Sequence, residues 1–222
     1  MELFEAMRTT FAARDYTGDA LPDEVLYRIL DNARFAPSGG NRQGAHVIVV
    51  RDPGTRAEIA ALSREPAQRY MAQRDAGESP WNTIDPSEVD AATIAAQKAP
   101  GMLTRPFETA SVVLVITVNL KLVASTDALL DRVGVVSGGS IYPLAWNILL
   151  AARAEGYGGT ITTLAIANEP QLQALLHLPT HYAVAALMPL GKPVKQLTKL
   201  SRNAVREFVT REHFDGDAFD PS

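Results

Sequence analysis

Three glycine pairs and a few arginines are the residues with chemistry to offer in this 222-residue chain. The densest group is Pro37-Ser38-Gly39-Gly40-Asn41-Arg42-Gln43. It crowds backbone NH groups, two side-chain amides, a hydroxyl and a guanidinium into one short connection. Glycine lets backbone approach where a Cβ would clash. Asn and Gln both donate and accept hydrogen bonds. Such a segment can lie against a flat polar ligand, and it is also good turn chemistry. Gly138-Gly139 and Gly158-Gly159 are the other two pairs. Arg8 and Arg14 flank the far half of a short N-terminal helical pattern. Arginine offers phosphate a fixed fork of donors; solvation of a surface is the plainer reading.

Other chemistries find little support. The chain has no cysteine, which removes thiol nucleophiles, disulfides and cysteine-held metals. His46, His177, His181 and His213 are its four histidines. His177 and His181 are spaced i,i+4, but Pro179 lies between them, so a zinc site on one helix face is not expected. No Gly-x-Ser-x-Gly elbow or Walker loop is present, and no Gly-x-Gly-x-x-Gly follows a strand. A cofactor enzyme asks less of side chains, because the cofactor carries the reaction. Neither a catalytic side chain nor a metal is therefore expected. The net charge of −4 disfavours nucleic acid as a partner. Met1-Glu2-Leu3-Phe4-Glu5 lacks the pattern of a signal peptide, and no apolar run reaches membrane-spanning length. A cytoplasmic protein with no membrane partner is expected.

The elements that must position these residues are readable from their periodicity. Helices are expected over 2–13, 22–35 and 53–62, with Val25, Leu26, Ile29, Leu30 and Ala33 as the stripe of the second. The glycine loop follows that helix. The strand 45–51, apolar on both faces, should be central and covered. Residues 63–109, punctuated by prolines, read as helical pieces with long connections, where a lid or substrate wall would sit. The clearest strand is 111–118, and 125–133 reads as a helix. The strongest helix is 141–154, apolar enough for the core or a subunit contact. Strand character returns over 160–164 and 182–190. Between them Asn168 begins a helix as N-cap, with Gln171 completing a capping box. A short helix is expected over 203–212, then a tail. One layered domain of mixed helices and strands follows.

At this point a resemblance appears. Arg14-x-Tyr16, Leu21-Pro22-Asp23-Glu24-Val25-Leu26 and Ala36 through Gln43 are similar to the opening of the nitroreductase family of FMN enzymes. Ser140-Ile141-Tyr142-Pro143, Asn147 through Arg153 and Gly156-Tyr157-Gly158-Gly159 resemble its central-helix segment. Leu178-Pro179, Ala186 through Pro193, and then Arg202 resemble its C-terminal segment. The blocks occur in the right order over nearly the whole chain.

The resemblance implies an α+β fold, with a mostly antiparallel central sheet flanked by helices, in an intertwined homodimer. A variable lid would span about 63–109, and residues 192–222 would embrace the second subunit. Two FMN sites would lie at the subunit interface. NADH or NADPH would pass a hydride to flavin N5, and a small aromatic or conjugated acceptor such as a nitroaromatic or quinone would then be reduced. On the family pattern Arg14 and Arg202 hold the FMN phosphate, with Arg8 a further candidate. Pro37, Ser38, Gly39 and Asn41 follow the ribityl chain and ring edge. Backbone NH groups of Gly158 and Gly159 stabilise charge on the reduced ring. Thr10, Gly40, Gln43, Tyr142 and Pro143 complete the cofactor-binding set.

The sequence also departs from the pattern. Thr10-Phe11-Ala12-Ala13-Arg14 stands where an Arg-Arg-Ser-x-Arg-like cluster is usual. Gln43-Gly44-Ala45 replaces a frequent Gln-Pro-Trp, and Trp146 replaces a common glutamine. These changes affect the phosphate clamp and the pocket's shape. They keep open a flavin-storage protein, a specialised flavin enzyme performing fragmentation, dehalogenation or dehydrogenation, and a non-enzymatic dimeric scaffold.

Overall fold

The computed structural model describes residues 1–221. In chain order its first half runs α1 (Leu3–Thr9), α2 (Asp23–Ala33), β1 (Ala45–Val50), α3 (Pro53–Leu62) and α4 (Arg64–Asp75). Short helices α5 (Ala91–Ala96), α6 (Gly101–Thr104) and α7 (Pro106–Thr109) lead to β2 (Val112–Asn119). Then come α8 (Tyr142–Ala154), β3 (Gly158–Gly159), α9 (Glu169–Leu175) and β4 (Tyr182–Gly191). The four strands form one sheet in the order β1-β2-β4-β3, and every neighbouring pair is antiparallel. This is the expected α+β arrangement. No helix among the described residues is long and apolar enough to cross a membrane.

β2 explains the architecture. Side chains alternate between the faces of a strand, and helices cover this sheet on both faces. Leu114 and Ile116 join Leu26 and Ile29 of α2 and Ile148 of α8 in one buried cluster. Val113 and Val115 join Ile59 of α3, Phe107 and Leu172 of α9 in another. An uninterrupted apolar run is what a strand covered on both sides requires.

Several expectations are corrected. β1 is an edge strand, not a central one, and Val49 is exposed. Its apolar composition says nothing about how many neighbours it has. The first helix stops at Thr9 instead of running to 13. The Thr9 and Thr10 hydroxyls donate to the carbonyls of Glu5 and Ala6, and the Ala13 NH then donates to Gly159 O. Pairing with the sheet edge outcompetes another helical turn. Residues 160–164 contribute only a bridge from Thr162 to Leu187, and Leu164–Asn168 is a 3₁₀ helix. The Asn168 side chain caps nothing. It donates to Leu62 O at 2.8 Å, while Glu169 accepts from the Val184 NH at 2.6 Å. Over 203–212 only the 3₁₀ turn Val205–Glu207 forms, because Val205 and Phe208 are exposed and have no core to pack against.

The expected helix at 125–133 is a loop built around one carboxylate. Asp127 accepts from the NH groups of Val135 (2.7 Å) and Val136, from Ser125 Oγ and from the Arg132 guanidinium (2.9 Å). A nearly buried side chain that satisfies distant backbone donors competes directly with helix formation. Those NH groups, the Val135 NH foremost, hold the Asp127 carboxyl well below the usual carboxylate range. A depressed folded-state pKa stabilises above the unfolded value, so this contribution begins to fall below about pH 4 and is gone past the folded-state value. Asp127→Ala is expected to open the loop at neutral pH, and strong acid is expected to open it in the native chain. Amide hydrogen exchange over 124–136 checks both. Unchanged protection in the variant would show that the carboxylate does not organise the loop.

Candidate functional site

A groove of about 1500 Å³ opens on the surface. Its walls come from separate parts of the chain: the start of α8, the loop after Gly134, Thr160 to Leu164, the near ends of β2 and β4, and the 63–109 segment. Five aromatic side chains line it, Tyr70, Trp81, Phe107, Tyr142 and Trp146. Arg14 is the one charged side chain among the described residues that line it.

Arg14 is placed by its neighbours in sequence. Ala12 bridges Gly159, and the buried Tyr16 hydroxyl lies 2.8 Å from Ala13 O and 3.0 Å from Pro189 O. Burial pushes the Tyr16 hydroxyl's pKa up, so it stays a donor. The stretch between is therefore tied to β3 and β4. Arg14 itself makes only a long 3.5 Å contact to Ala12 O, and no carboxylate among the described residues pairs with it. A half-buried guanidinium with its fork free suits an anion.

The other expected residues divide into two groups. Tyr142, Pro143 and the Gly138-Gly139 pair line the Arg14 groove. Gly139 has no heavy atom within 4 Å of where its Cβ would stand, so backbone there borders open space. Gly158 and Gly159 are buried, and Gly159 bridges Ala12, two residues before Arg14, but their own packing already demands glycine. A Cβ on Gly159 would strike Leu190 and the Pro189 carbonyl. Thr10 is buried with its hydroxyl donating to Ala6 O at 2.7 Å, and Arg8 is exposed on α1.

Pro37 through Gln43 do not line this groove. Gly39 NH donates to Ser140 Oγ at 3.0 Å, which ties their loop to the approach to α8. Gly40, Asn41 and Gln43 all have left-handed backbone, with φ of 59°, 52° and 50°. Two of these are not glycine, and strain of that kind concentrates where a loop must present groups. The loop is solvent-facing in one chain. Arg202 lies in a different depression beside Asn203 and Phe208 and donates to Ser201 O. One copy of the chain thus does not gather the expected set around a single centre.

Sequence reasoning missed Thr160 and Thr162 as groove residues, although their alternation is legible. Trp81, Met102, Leu103 and Phe107 of the 63–109 segment line the groove too, brought to one wall by contacts that no sequence pattern registers.

The sequence profile described as "Nitroreductase family" matches residues 7–192. The chain belongs to the nitroreductase family. Among its relatives, human iodotyrosine deiodinase 1 is 24% identical over 198 residues, covering 89% of this chain and 63% of that protein. This chain therefore spans less than two thirds of the human enzyme. An NADH dehydrogenase from Thermus thermophilus is 29% identical over 189 residues, covering 82% of each. Two solved structures share the fold. Iodotyrosine deiodinase bound to FMN and 3-iodo-L-tyrosine superposes with a TM-score of 0.68 at 17% identity, over 96% of this chain and 99% of the other. Nitroreductase A from Vibrio parahaemolyticus gives 0.67 at 19%, over 98% and 78%.

The groove's residues fit the group that the family implies. FMN has a flat heteroaromatic body and one anionic end. The groove offers apolar and aromatic walls, neutral hydroxyls at Ser137, Thr160 and Thr162, open space at Gly139 and a single free cation. No cluster of metal-binding side chains occurs among the described residues.

Proposed function

We propose that this nitroreductase-family protein is an FMN-dependent oxidoreductase that reduces small electron-poor aromatic or conjugated molecules at the expense of NADH or NADPH. The observation that carries the reading is the groove: largely apolar, with five aromatic side chains, and with Arg14 as the one charged side chain among the described residues that line it. Arg14 would hold the phosphate, supported by Arg8 or Arg202. Thr160 and Thr162 would face the polar edge of the ring, alongside backbone of Gly158 and Gly159. Bound FMN supplies two-electron transfer between nicotinamide and acceptor. The chain's own part is to bind, orient and keep water away. The apolar walls do that, and solvent supplies the proton the acceptor needs beyond the hydride. A cytoplasmic setting goes with this reading.

The same reading includes a homodimer. The strained loop bearing Pro37, Ser38, Gly39, Gly40, Asn41 and Gln43 would complete the partner's groove. The exposed arm after Lys192, with Phe208 and Phe214 facing solvent, would reach across. Light scattering behind size exclusion tests this; a monomer at micromolar concentration overturns it.

The decisive experiment for the reaction is simple. Purified protein should carry a flavin spectrum or take up FMN. NADH or NADPH should bleach it without air, and 1,4-naphthoquinone or a nitroarene should restore it faster than oxygen does. Protein that stays colourless in FMN overturns the reading, and reoxidation no faster than in air favours flavin storage.

The deiodinase relatives favour a second reading, reductive dehalogenation. An aryl halide would accept two electrons and a proton, giving arene and halide ion. Halide release from 3-iodo-L-tyrosine or a simple iodophenol distinguishes it.

A further inference from the structure

Trp81 sits on the wall of the groove with φ of 58°, in the left-handed region. For a bulky side chain that backbone is a true outlier. Such strain persists where surroundings over-determine it, and two contacts from α4 do so. The Trp81 NH donates to Oε1 of the buried Gln73 at 3.2 Å. One turn earlier, Arg69 Cζ stands 4.5 Å from the centroid of the indole ring. The Arg69 Nε is buried with no hydrogen-bond partner among the described residues, and the indole is the neighbour that the guanidinium stands over. Cation–π contact of this kind fixes the plane of an indole. One face of Trp81 is thus backed by Arg69, while the residue, part of the groove's wall, stays 39% exposed. Trp146, also a groove residue, is 40% exposed. They are the chain's two tryptophans.

We infer that Trp81 is a substrate-stacking wall that selects planar, uncharged aromatic acceptors over charged non-aromatic ones. The inference deepens the FMN-oxidoreductase reading and rests on it. A ring held rigidly by its backbone and by Arg69 loses little freedom when a second ring stacks on it. Offset stacking rewards planar aromatic ligands beyond their buried area. A charged acceptor must shed water to enter a groove with one cation, and gains no stacking in return.

Two measurements test this. In Trp146→Phe, Trp81 is the sole tryptophan. Titration with 1,4-naphthoquinone without nicotinamide should quench its fluorescence saturably, in FMN-loaded and flavin-free protein alike. Linear, unsaturable quenching overturns the inference. In turnover, Trp81→Gly accepts the left-handed backbone but removes the ring. It should raise KM for 1,4-naphthoquinone about tenfold relative to KM for ferricyanide, and Trp81→Phe should recover most of the loss. Equal changes with both acceptors, or none, overturn it. If Trp81→Gly does not fold, Trp81→Ala in turnover and the fluorescence titration still decide. FMN uptake is measured separately by absorbance. A protein that binds FMN yet ignores the loss of Trp81 defeats this inference and spares the oxidoreductase reading. A protein that never binds FMN defeats that reading, and the titration on flavin-free protein still reports on Trp81.

Discussion

Replacing Arg14 with glutamine is expected to weaken FMN binding about a hundredfold, the loss of a charge-assisted, two-pronged contact to phosphate. Riboflavin, which has the ring but no phosphate, should bind the variant and the native protein almost equally. The contrast matters because Arg14 is the single charged side chain among the described residues that line the groove. Its backbone is anchored by the Ala13 NH on Gly159 O at 2.9 Å and by Tyr16, and neither contact involves the guanidinium. The substitution should therefore remove charge without moving the chain. Added salt should narrow the gap between FMN and riboflavin in the native protein. Flavin fluorescence titrations read all four affinities. Equal weakening toward both ligands would mean that Arg14 shapes the groove and does not hold an anion.

Arg56→Met is expected to cost about 3 kcal/mol of folding stability, because buried carbonyls lose a charged donor and gain nothing in its place. Arg56 is buried, and its guanidinium donates to Phe107 O at 2.7 Å, to Ala110 O at 2.6 Å and to Glu108 O. It ties off the end of α7 where the chain turns into β2. Methionine replaces much of the stem's apolar volume, so the loss reports on the hydrogen bonds more than on packing. Burial also lowers the pKa of Arg56, yet the group stays charged at any ordinary pH. The loss should accordingly be flat across neutral pH. Urea denaturation of native and variant protein measures it. A loss below about 1 kcal/mol, the worth of one ordinary hydrogen bond, would mean that water takes over at those carbonyls.

Residues whose role is set locally were legible in the sequence. The stripe of α2 and the run in β2 were placed within about two residues, the boundary scatter of any such reading. The long central helix, expected over 141–154, ends at Ala154, and Gly156 follows with φ of 83°, a backbone that glycine adopts freely. What failed had its cause far along the chain. Asp127 captures NH groups eight and nine residues away, which helical periodicity cannot register. Asn168 looks like a cap, but a carbonyl at Leu62 takes its amide. β1 looks central because an edge and an interior strand are built from the same β-branched residues. At the site, glycine marked Gly139 and Gly159 alike. One borders open space, while the other is forced by Leu190 and Pro189. Arg69 behind Trp81 had no sequence signal, since a cation over an indole depends on a turn that no pattern announces.

Consecutive side chains of β2 serve opposite sides of the sheet, with Leu114 in one buried cluster and Val113 and Val115 in the other. Neither half of the molecule therefore owns its hydrophobic interior outright. Heating that strips the helices from one side withdraws the support that the other side needs. Flavin-free protein should therefore lose both sides together, with far-UV circular dichroism and tryptophan fluorescence reporting one coincident transition.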